Sequence, residues 1–149
     1  MSRPVRVLVF GTFDLLHPGH RSFLRQAKKL GTQLIVAVGR DTVVRKLKRV
    51  RLHQNEEHRL RVVAGVRIVS RALLAPKDPR QRFEFIVRVN PSIIALGYDQ
   101  THYTEHLSAA LKKHGLICSV VRLRPYRPRL YKSSILRQGL VPLEAKKHT

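Results

Sequence analysis

The chain has 149 residues, 43% of them apolar, a length that suits one compact domain and a composition that excludes a disordered basic tail. Its 30 Lys and Arg residues outnumber 9 Asp and Glu residues, so the formal net charge is +21. No apolar run reaches the ~18 residues of a membrane-spanning helix, no secretory signal is recognisable, and the single cysteine, Cys118, excludes an internal disulfide. These features predict a cytoplasmic protein.

Short apolar runs alternate with amphipathic stretches from the start of the chain. β-Branched runs bounded by Gly predict strands, and apolar residues at three- and four-residue spacing predict helices. In the first half we expect a strand over Val5–Phe10, a helix over His17–Leu30 capped by Gly31, a strand over Leu34–Gly39, and a short helix that Asp41 or Thr42 caps and that runs through Leu47.

The second half repeats this alternation. We expect a helix over Glu56–Gly65 capped by Asn55, a strand over Val66–Leu74, a helix over Arg80–Val89, a strand over Ser92–Leu96, a helix over Thr104–His114, a strand over Ile117–Leu123, a basic loop over Arg124–Lys132, and a last short helix from Ser133 or Ser134. The pattern predicts one α/β domain over residues 1–149, with a Rossmann-like sheet of about five parallel strands, helices on both faces, and a basic C-terminal loop and short helix from about residue 124.

The segment between the first strand and the first helix is the strongest candidate for a site, because ligands of such sheets lie beyond the carboxyl ends of the strands. It reads Gly-Thr-Phe-Asp-Leu-Leu-His-Pro-Gly-His over residues 11–20. Gly11 lets the backbone approach a bulky ligand, Pro18 fits the first helical turn, and Gly19 leaves backbone N–H groups uncovered for an anion. His17 and His20 lie three residues apart and can face one side.

Other readings of this histidine pair are weaker. A zinc helix requires histidines four apart with a Glu between them, and that Glu is absent. The Gly-Lys-Ser/Thr of a Walker loop and the Gly-x-Gly-x-x-Gly of a dinucleotide fold are also absent. Spacing alone leaves open whether the pair is functional or only fills space.

The ten-residue segment resembles the signature of the nucleotidyltransferase superfamily that carries a His-x-Gly-His motif. Residues 23–31, 55–60 and 95–100 further resemble the archaeal-type FAD synthase branch. The resemblance implies an FMN adenylyltransferase that moves AMP from ATP to FMN and releases pyrophosphate. One alternative is cytidylyl transfer from CTP to glycerol phosphate or a similar phosphorylated alcohol. A second is a non-catalytic, basic nucleic-acid-binding protein on the same fold.

The resemblance also implies roles for individual residues. His17 and His20 would be catalytic, binding the triphosphate and stabilising the transition state. The further nucleotide-binding residues would be Thr12, Phe13, Pro18, Gly19, Asp99 and Tyr126, and the possible phosphate contacts would be Lys46, Arg59, Ser133 and Ser134. For Asp99 the alternative is a turn residue, for Tyr126 simple packing, and for Lys46 and Arg59 a solvated helix face. Ser133 and Ser134 can in addition cap the last helix.

Three questions stay open on the sequence. Asp14 could orient a histidine, hold a metal-bound water or hydrogen-bond the loop backbone. The charge of +21 could serve solubility and heat stability, a positive funnel for phosphates, or nucleic acid. The resemblance implies a divalent cation, Mg²⁺ first, brought with the nucleotide and held largely by its oxygens, and it allows a homodimer.

Overall fold

The computed structural model describes residues 3–48, 51–100 and 107–125 of the chain. Its five strands are β1 (Arg6–Gly11), β2 (Gln33–Val38), β3 (Arg71–Leu74), β4 (Ile93–Leu96) and β5 (Ser119–Arg122). They form one sheet in the order β3-β2-β1-β4-β5, and every neighbouring pair is parallel. The predicted Rossmann-like sheet is therefore confirmed.

Helices cover both faces of this sheet. They are α1 (Pro18–Lys28), α2 (Asp41–Lys48), α3 (Glu56–Ala64), α4 (Arg82–Val89), which follows a 3₁₀ turn over Pro79–Gln81, and α5 (Leu107–Lys113). One apolar cluster joins the sheet to α1 and α3, and a second joins it to α4 and α5. Among the described residues, no helix is long and apolar enough to cross a membrane.

The central strand β1 is apolar on both faces because both are covered. Val7 and Val9 belong to the cluster under α1 and α3, whereas Leu8 belongs to the opposite cluster, and all three are fully buried. Successive side chains of a strand point to opposite faces, so a doubly covered strand reads as a continuous apolar run. For this reason the continuous apolar run predicted β1 closely.

The predicted strand over Val66–Leu74 is wrong in its first half. Residues 66–69 form turns, in which Val66 N donates to Val63 O at 3.0 Å and Val69 N donates to Val66 O at 3.0 Å. Val66, Ile68 and Val69 nevertheless pack against the core. Their apolar character therefore reflects burial, and only residues 71–74 join the sheet.

Gly31 does not cap α1 as expected. The C-cap is Lys29 in right-handed helical conformation, with φ −64°. A Cβ at residue 31 would lie 2.4 Å from the carbonyl oxygen of Val5, so Gly31 is required by the close approach of β1. Asp41 is likewise the first residue of α2 rather than its cap, and Arg40 O accepts the hydrogen bond from Val44 N.

The other boundaries differ by a few residues. The predicted cap at Asn55 is confirmed, since its side chain accepts from His58 N at 2.8 Å. In the described residues β5 begins at Ser119, and Ile117 is 86% exposed. The loop over Arg124–Lys132 beyond residue 125 and the helix from Ser133 or Ser134 lie outside the described residues.

Candidate active site

The signature segment lies at the same edge of the sheet as the turn that contains Asp99. The chain runs from β1 outward through β2 to β3, and then returns to β4, which pairs with the other side of β1. The crevice between the carboxyl ends of β1 and β4 is thus the point where strand order reverses. Residues 11–20 follow β1 and residues 97–100 follow β4, so both loops border this crevice.

The two histidines of the signature cap α1 reciprocally. His17 is the N-cap, and its Nδ1 accepts from Gly19 N at 3.0 Å and from His20 N at 3.4 Å. In return, Nδ1 of His20 accepts from His17 N at 3.3 Å. The two rings stack with centroids 3.7 Å apart and planes 24° apart. Imidazoles here play the parts that Ser and Glu play in an ordinary capping box.

This geometry indicates the tautomer of each neutral ring. A nitrogen that accepts a hydrogen bond carries no hydrogen, so the neutral tautomer of each ring has its hydrogen on Nε2. Burial lowers the pKa of His17 from its ordinary 6.5 to about 4, because the charged ring would lose its hydration. His17 is therefore neutral at pH 7, with Nε2–H as its one ring donor.

The prediction that backbone N–H groups at the N-terminus of α1 are uncovered is wrong. Gly19 was expected to leave backbone N–H groups uncovered for an anion, but the N–H groups of Gly19 and His20 both donate to His17 Nδ1. Pro18 has no N–H, and Arg21 N donates to His17 O at 3.1 Å. The backbone N–H groups of Gly19 and His20 are therefore engaged in the cap, and the phosphate contact predicted for this turn would have to come from the imidazole rings.

Gly11 and Phe13 are coupled in a way the sequence did not indicate. A Cβ at Gly11 would lie 2.4 Å from Cε2 of Phe13, so the ring of Phe13 fills the space expected for a ligand. Phe13 is 2% exposed, and its ring meets His20 edge-on at a centroid distance of 5.4 Å. In this structure its side chain supports His20 from the core, which leaves its backbone for the predicted nucleotide contact.

The loop between β1 and α1 is held in an uncommon backbone conformation. Phe13 and Leu15 have φ of 55° and 56°, in the left-handed region that non-glycine residues seldom adopt. Asp14 between them is fully buried, and its carboxylate accepts from His53 N and Gln54 N, each at 3.0 Å. Of the three roles left open for Asp14, hydrogen bonding to loop backbone is observed, and Oδ2 of Asp14 also lies 3.7 Å from Nδ1 of His53.

Arg59 lies beneath the loop rather than on a solvated helix face. It is fully buried, and its guanidinium donates to Thr12 O at 2.7 Å, Gln54 O at 3.1 Å and Asp41 Oδ1 at 2.6 Å. A surface Arg was therefore the wrong alternative. The contact of Arg59 with phosphate stays a prediction, and the observed role is to hold the carbonyl of Thr12.

The remaining predicted residues lie in several places. Asp99 is exposed in the turn after β4, and Lys46 is exposed on α2. Pro18 is exposed at the first turn of α1. Tyr126, Ser133 and Ser134 lie outside the described residues, so their roles stay predictions.

Sequence reasoning missed Gln54, which links the signature loop to α3. Its side-chain oxygen accepts from Leu15 N at 3.1 Å, its own N–H donates to Asp14, and its carbonyl accepts from Arg59. An isolated Gln in a basic stretch gives no pattern from which this role could have been predicted. Together with the direct bond from Arg59 to Thr12, these three hydrogen bonds link residues 12–15 to α3.

Comparison with known proteins agrees with this architecture. The cytidylyltransferase-like family model matches residues 8–139. An FAD synthase of Aciduliprofundum boonei is 43% identical over 122 residues, covering 82% of this chain and 80% of that protein. An FAD synthase of Methanosarcina barkeri is 47% identical over 119 residues, covering 79% of this chain and 82% of that protein.

A solved structure from Thermoplasma volcanium, described as a lipopolysaccharide core biosynthesis protein, superposes with a TM-score of 0.77. It is 34% identical, and the match covers 83% of this chain and 99% of that one. Both the family model and the FAD synthase relatives cover most of the chain. The chain therefore belongs to the cytidylyltransferase-like family of nucleotidyltransferases.

Proposed function

We propose that this protein is an FMN adenylyltransferase, which transfers AMP from ATP to FMN and releases pyrophosphate. The observation that carries the proposal is the pair of stacked, reciprocally capped imidazoles at the sheet's switch point, whose Nδ1 atoms both accept backbone hydrogen bonds. The choice of acceptor rests on the relatives, several of which are named FAD synthase.

The reaction requires positioning and charge stabilisation more than covalent chemistry. An oxygen of the FMN phosphate attacks the α-phosphorus of ATP, the bond from that phosphorus to the β-phosphate oxygen breaks, and pyrophosphate leaves. Negative charge grows on the oxygens of the transferred phosphoryl group and of the leaving group. Nε2–H donors of His17 and His20, held in fixed orientation by the capping bonds, would stabilise that charge.

Neutral imidazoles suit this task for a physical reason. If a ring had to gain a proton before it could stabilise charge, the reaction rate would depend on pH. Two charged rings stacked 3.7 Å apart would also repel each other. The Nδ1 atoms are committed to backbone N–H groups, so the rings need no reorientation when charge develops. Preorganised donors of this kind typically contribute about 100- to 1000-fold each to a rate.

We further propose that a divalent cation, Mg²⁺ first, enters as part of the nucleotide substrate. In residues 3–48, 51–100 and 107–125 no group of three or more His, Cys, Asp or Glu side chains is arranged to hold a metal ion. Triphosphate oxygens would accordingly supply most of its ligands. The cation's contribution when bound is to neutralise charge on the phosphates.

A product assay tests the proposal. Purified protein is incubated with Mg²⁺ and each pairing of ATP or CTP with FMN or glycerol phosphate, and both pyrophosphate and the adenylylated or cytidylylated product are measured. We expect FAD and pyrophosphate in equal amounts only with ATP and FMN. Product from CTP and glycerol phosphate would overturn the proposal in favour of cytidylyl transfer. Tight, salt-dependent nucleic-acid binding without pyrophosphate would favour a binding protein.

A further inference from the structure

The side chain of Gln100 bridges the two strands that border the switch point. β1 and β4 pair from Val7 with Ile93 to Val9 with Ala95, and their backbone pairing stops there. One step further along, Nε2 of Gln100 donates to Phe10 O at 2.6 Å, and its Oε1 accepts from Gly97 N at 2.8 Å. The carboxamide thus continues the ladder as a peptide group would.

The same residue closes a turn that presents Asp99. Gln100 N donates to Gly97 O at 3.2 Å, so residues 97–100 form a β-turn with Asp99 at its third position. Arg122, at the end of β5, donates from Nη1 to Gly97 O at 2.7 Å and to Gln100 O at 3.0 Å. Both ends of the turn are therefore tied to the strands on either side.

The chemistry of these bonds restricts which side chains can make them. The bridge requires a donor and an acceptor on one planar group, which Gln supplies and Glu does not. A carboxylate at residue 100 could still accept from Gly97 N, but it would face the carbonyl oxygen of Phe10. Replacement of Gln100 by Glu is therefore nearly isosteric and yet breaks the link to β1.

We infer that Gln100 and Arg122 are positioning residues for the nucleotide: by tying the turn after β4 to β1 and β5, they set the place from which Asp99 meets the ribose or base. The inference rests on the proposed function, in which a nucleotide occupies the crevice. Asp99 is exposed in the middle of the turn, so the position of its carboxylate depends on the position of the turn. A loosened turn should weaken recognition of the nucleoside and spare recognition of the phosphates.

Binding without turnover tests this inference. Calorimetry without FMN gives Kd for ATP, 2′-deoxy-ATP, inosine triphosphate and inorganic pyrophosphate. The preference for ATP is the ratio of Kd for an analogue to Kd for ATP. In Asp99→Asn we expect this ratio to fall by about tenfold for either 2′-deoxy-ATP or inosine triphosphate, which is the usual cost of one polar contact. Gln100→Glu should lose the same preference to a similar extent, and Arg122→Ala should lose part of it. In all three variants, Kd for pyrophosphate should stay within about twofold of its value in the unaltered protein.

Two matched variants control for the negative charge that Gln100→Glu adds and for the arginine that Arg122→Ala removes. Gln33→Glu makes the same change at the amino end of β2, and Arg71→Ala removes an exposed Arg from the far edge strand β3. Both should bind all four ligands as the unaltered protein does. If Gln100→Glu does not fold, Arg122→Ala decides alone.

Three results would overturn the inference: unchanged ATP preference in Gln100→Glu and Arg122→Ala, an equal loss of pyrophosphate binding, or unchanged preference in Asp99→Asn. A failure of the proposed function is separate from these. It would appear as an absence of FAD in the assay of the unaltered protein, whatever the pattern of binding.

Discussion

His17 combines an observed structural role with a proposed catalytic role. Its Nδ1 caps the first turn of α1, and its Nε2–H is the donor proposed for phosphate. A substitution therefore changes both helix stability and catalysis, and an inactive variant alone would not tell which was lost. Variants that restore one function and not the other separate the two.

The pair His17→Ala and His17→Ser makes that separation. Ser is a good N-cap but its side chain cannot reach a phosphate. We therefore expect the free energy of unfolding of His17→Ser to exceed that of His17→Ala by about 1 kcal/mol. Both variants should lose roughly 100- to 1000-fold in kcat. Urea unfolding and the FAD assay provide the two measurements, and recovery of activity in His17→Ser would contradict the phosphate role.

His20→Ala gives the companion result. Its Nδ1 accepts only one capping bond, from His17 N at 3.3 Å, so we expect little loss of stability and a loss of kcat as large as in the His17 variants. The same assay and urea titration apply. Near-normal kcat would remove His20 from the proposed mechanism.

The pH dependence follows from the lowered pKa of His17. Burial takes it from 6.5 to about 4, so between these values the unfolded chain binds a proton that the folded chain does not. His17 therefore contributes its full stability above about pH 6.5, and that contribution falls as the pH drops toward 4. We expect ¹⁵N NMR of the labelled ring to show the Nε2–H tautomer at neutral pH and a titration midpoint near pH 4. A midpoint near 6.5 would show a solvated, differently held ring.

At the scale of elements, the signature loop is held from outside by α3. Arg59 at the first turns of this helix holds Thr12 O and Asp41, and Asp14 holds the backbone of residues 53 and 54. The left-handed conformations of Phe13 and Leu15 persist because these bonds oppose their relaxation. The active-site loop thus depends on a helix that need not touch the substrate.

Arg59→Lys tests this dependence. A single ammonium cannot reach Thr12 O, Gln54 O and Asp41 together, and a buried, imperfectly paired charge is costly. We expect the free energy of unfolding to fall by about 3 kcal/mol, with kcat reduced in the protein that remains folded. Arg61→Lys on the exposed face of the same helix is the control and should change neither. Unchanged stability in Arg59→Lys would contradict a positioning role, and a higher KM for ATP at unchanged stability would favour direct phosphate contact.

Which features the sequence predicted depends on the range of the interactions. The sheet, the histidine pair and the cap at Asn55 follow from local periodicity and from one continuous motif. The roles of Arg59, Gln54 and Gln100 depend in part on hydrogen bonds between residues far apart in sequence, which no local pattern encodes. Leu15 and Gln54 are separated by 39 positions, Thr12 and Arg59 by 47, and Phe10 and Gln100 by 90. Gly11 and Gly31 were misjudged for the same reason, since the atoms that exclude a side chain there belong to a ring or a strand known only from the fold.

For the whole molecule, the charge of +21 means that few of the 30 Lys and Arg residues can have an acidic partner. The carboxylates of Asp41, Glu56 and Asp78 pair with Arg59, Arg40 and Arg80, and that of Asp14 is buried on backbone N–H groups. Most of the remaining cations are therefore not neutralised by carboxylates of the described residues. Such a surface attracts an anionic nucleotide over a distance of about one Debye length.

Ionic strength distinguishes a functional charge from one that serves only solubility. Raising it from about 0.03 M to about 0.5 M shortens the Debye length from roughly 18 Å to roughly 4 Å, so long-range attraction is screened while hydrogen bonds at the histidines remain. If the cations form a funnel for phosphates, KM for ATP should rise about threefold to tenfold while kcat stays constant. Initial rates of FAD formation at several chloride concentrations measure both constants.

Because chloride also competes weakly at anion sites, potassium acetate serves as the control salt. A constant KM in both salts would mean that the charge serves solubility, and an equal fall of kcat would mean that salt perturbs the site itself.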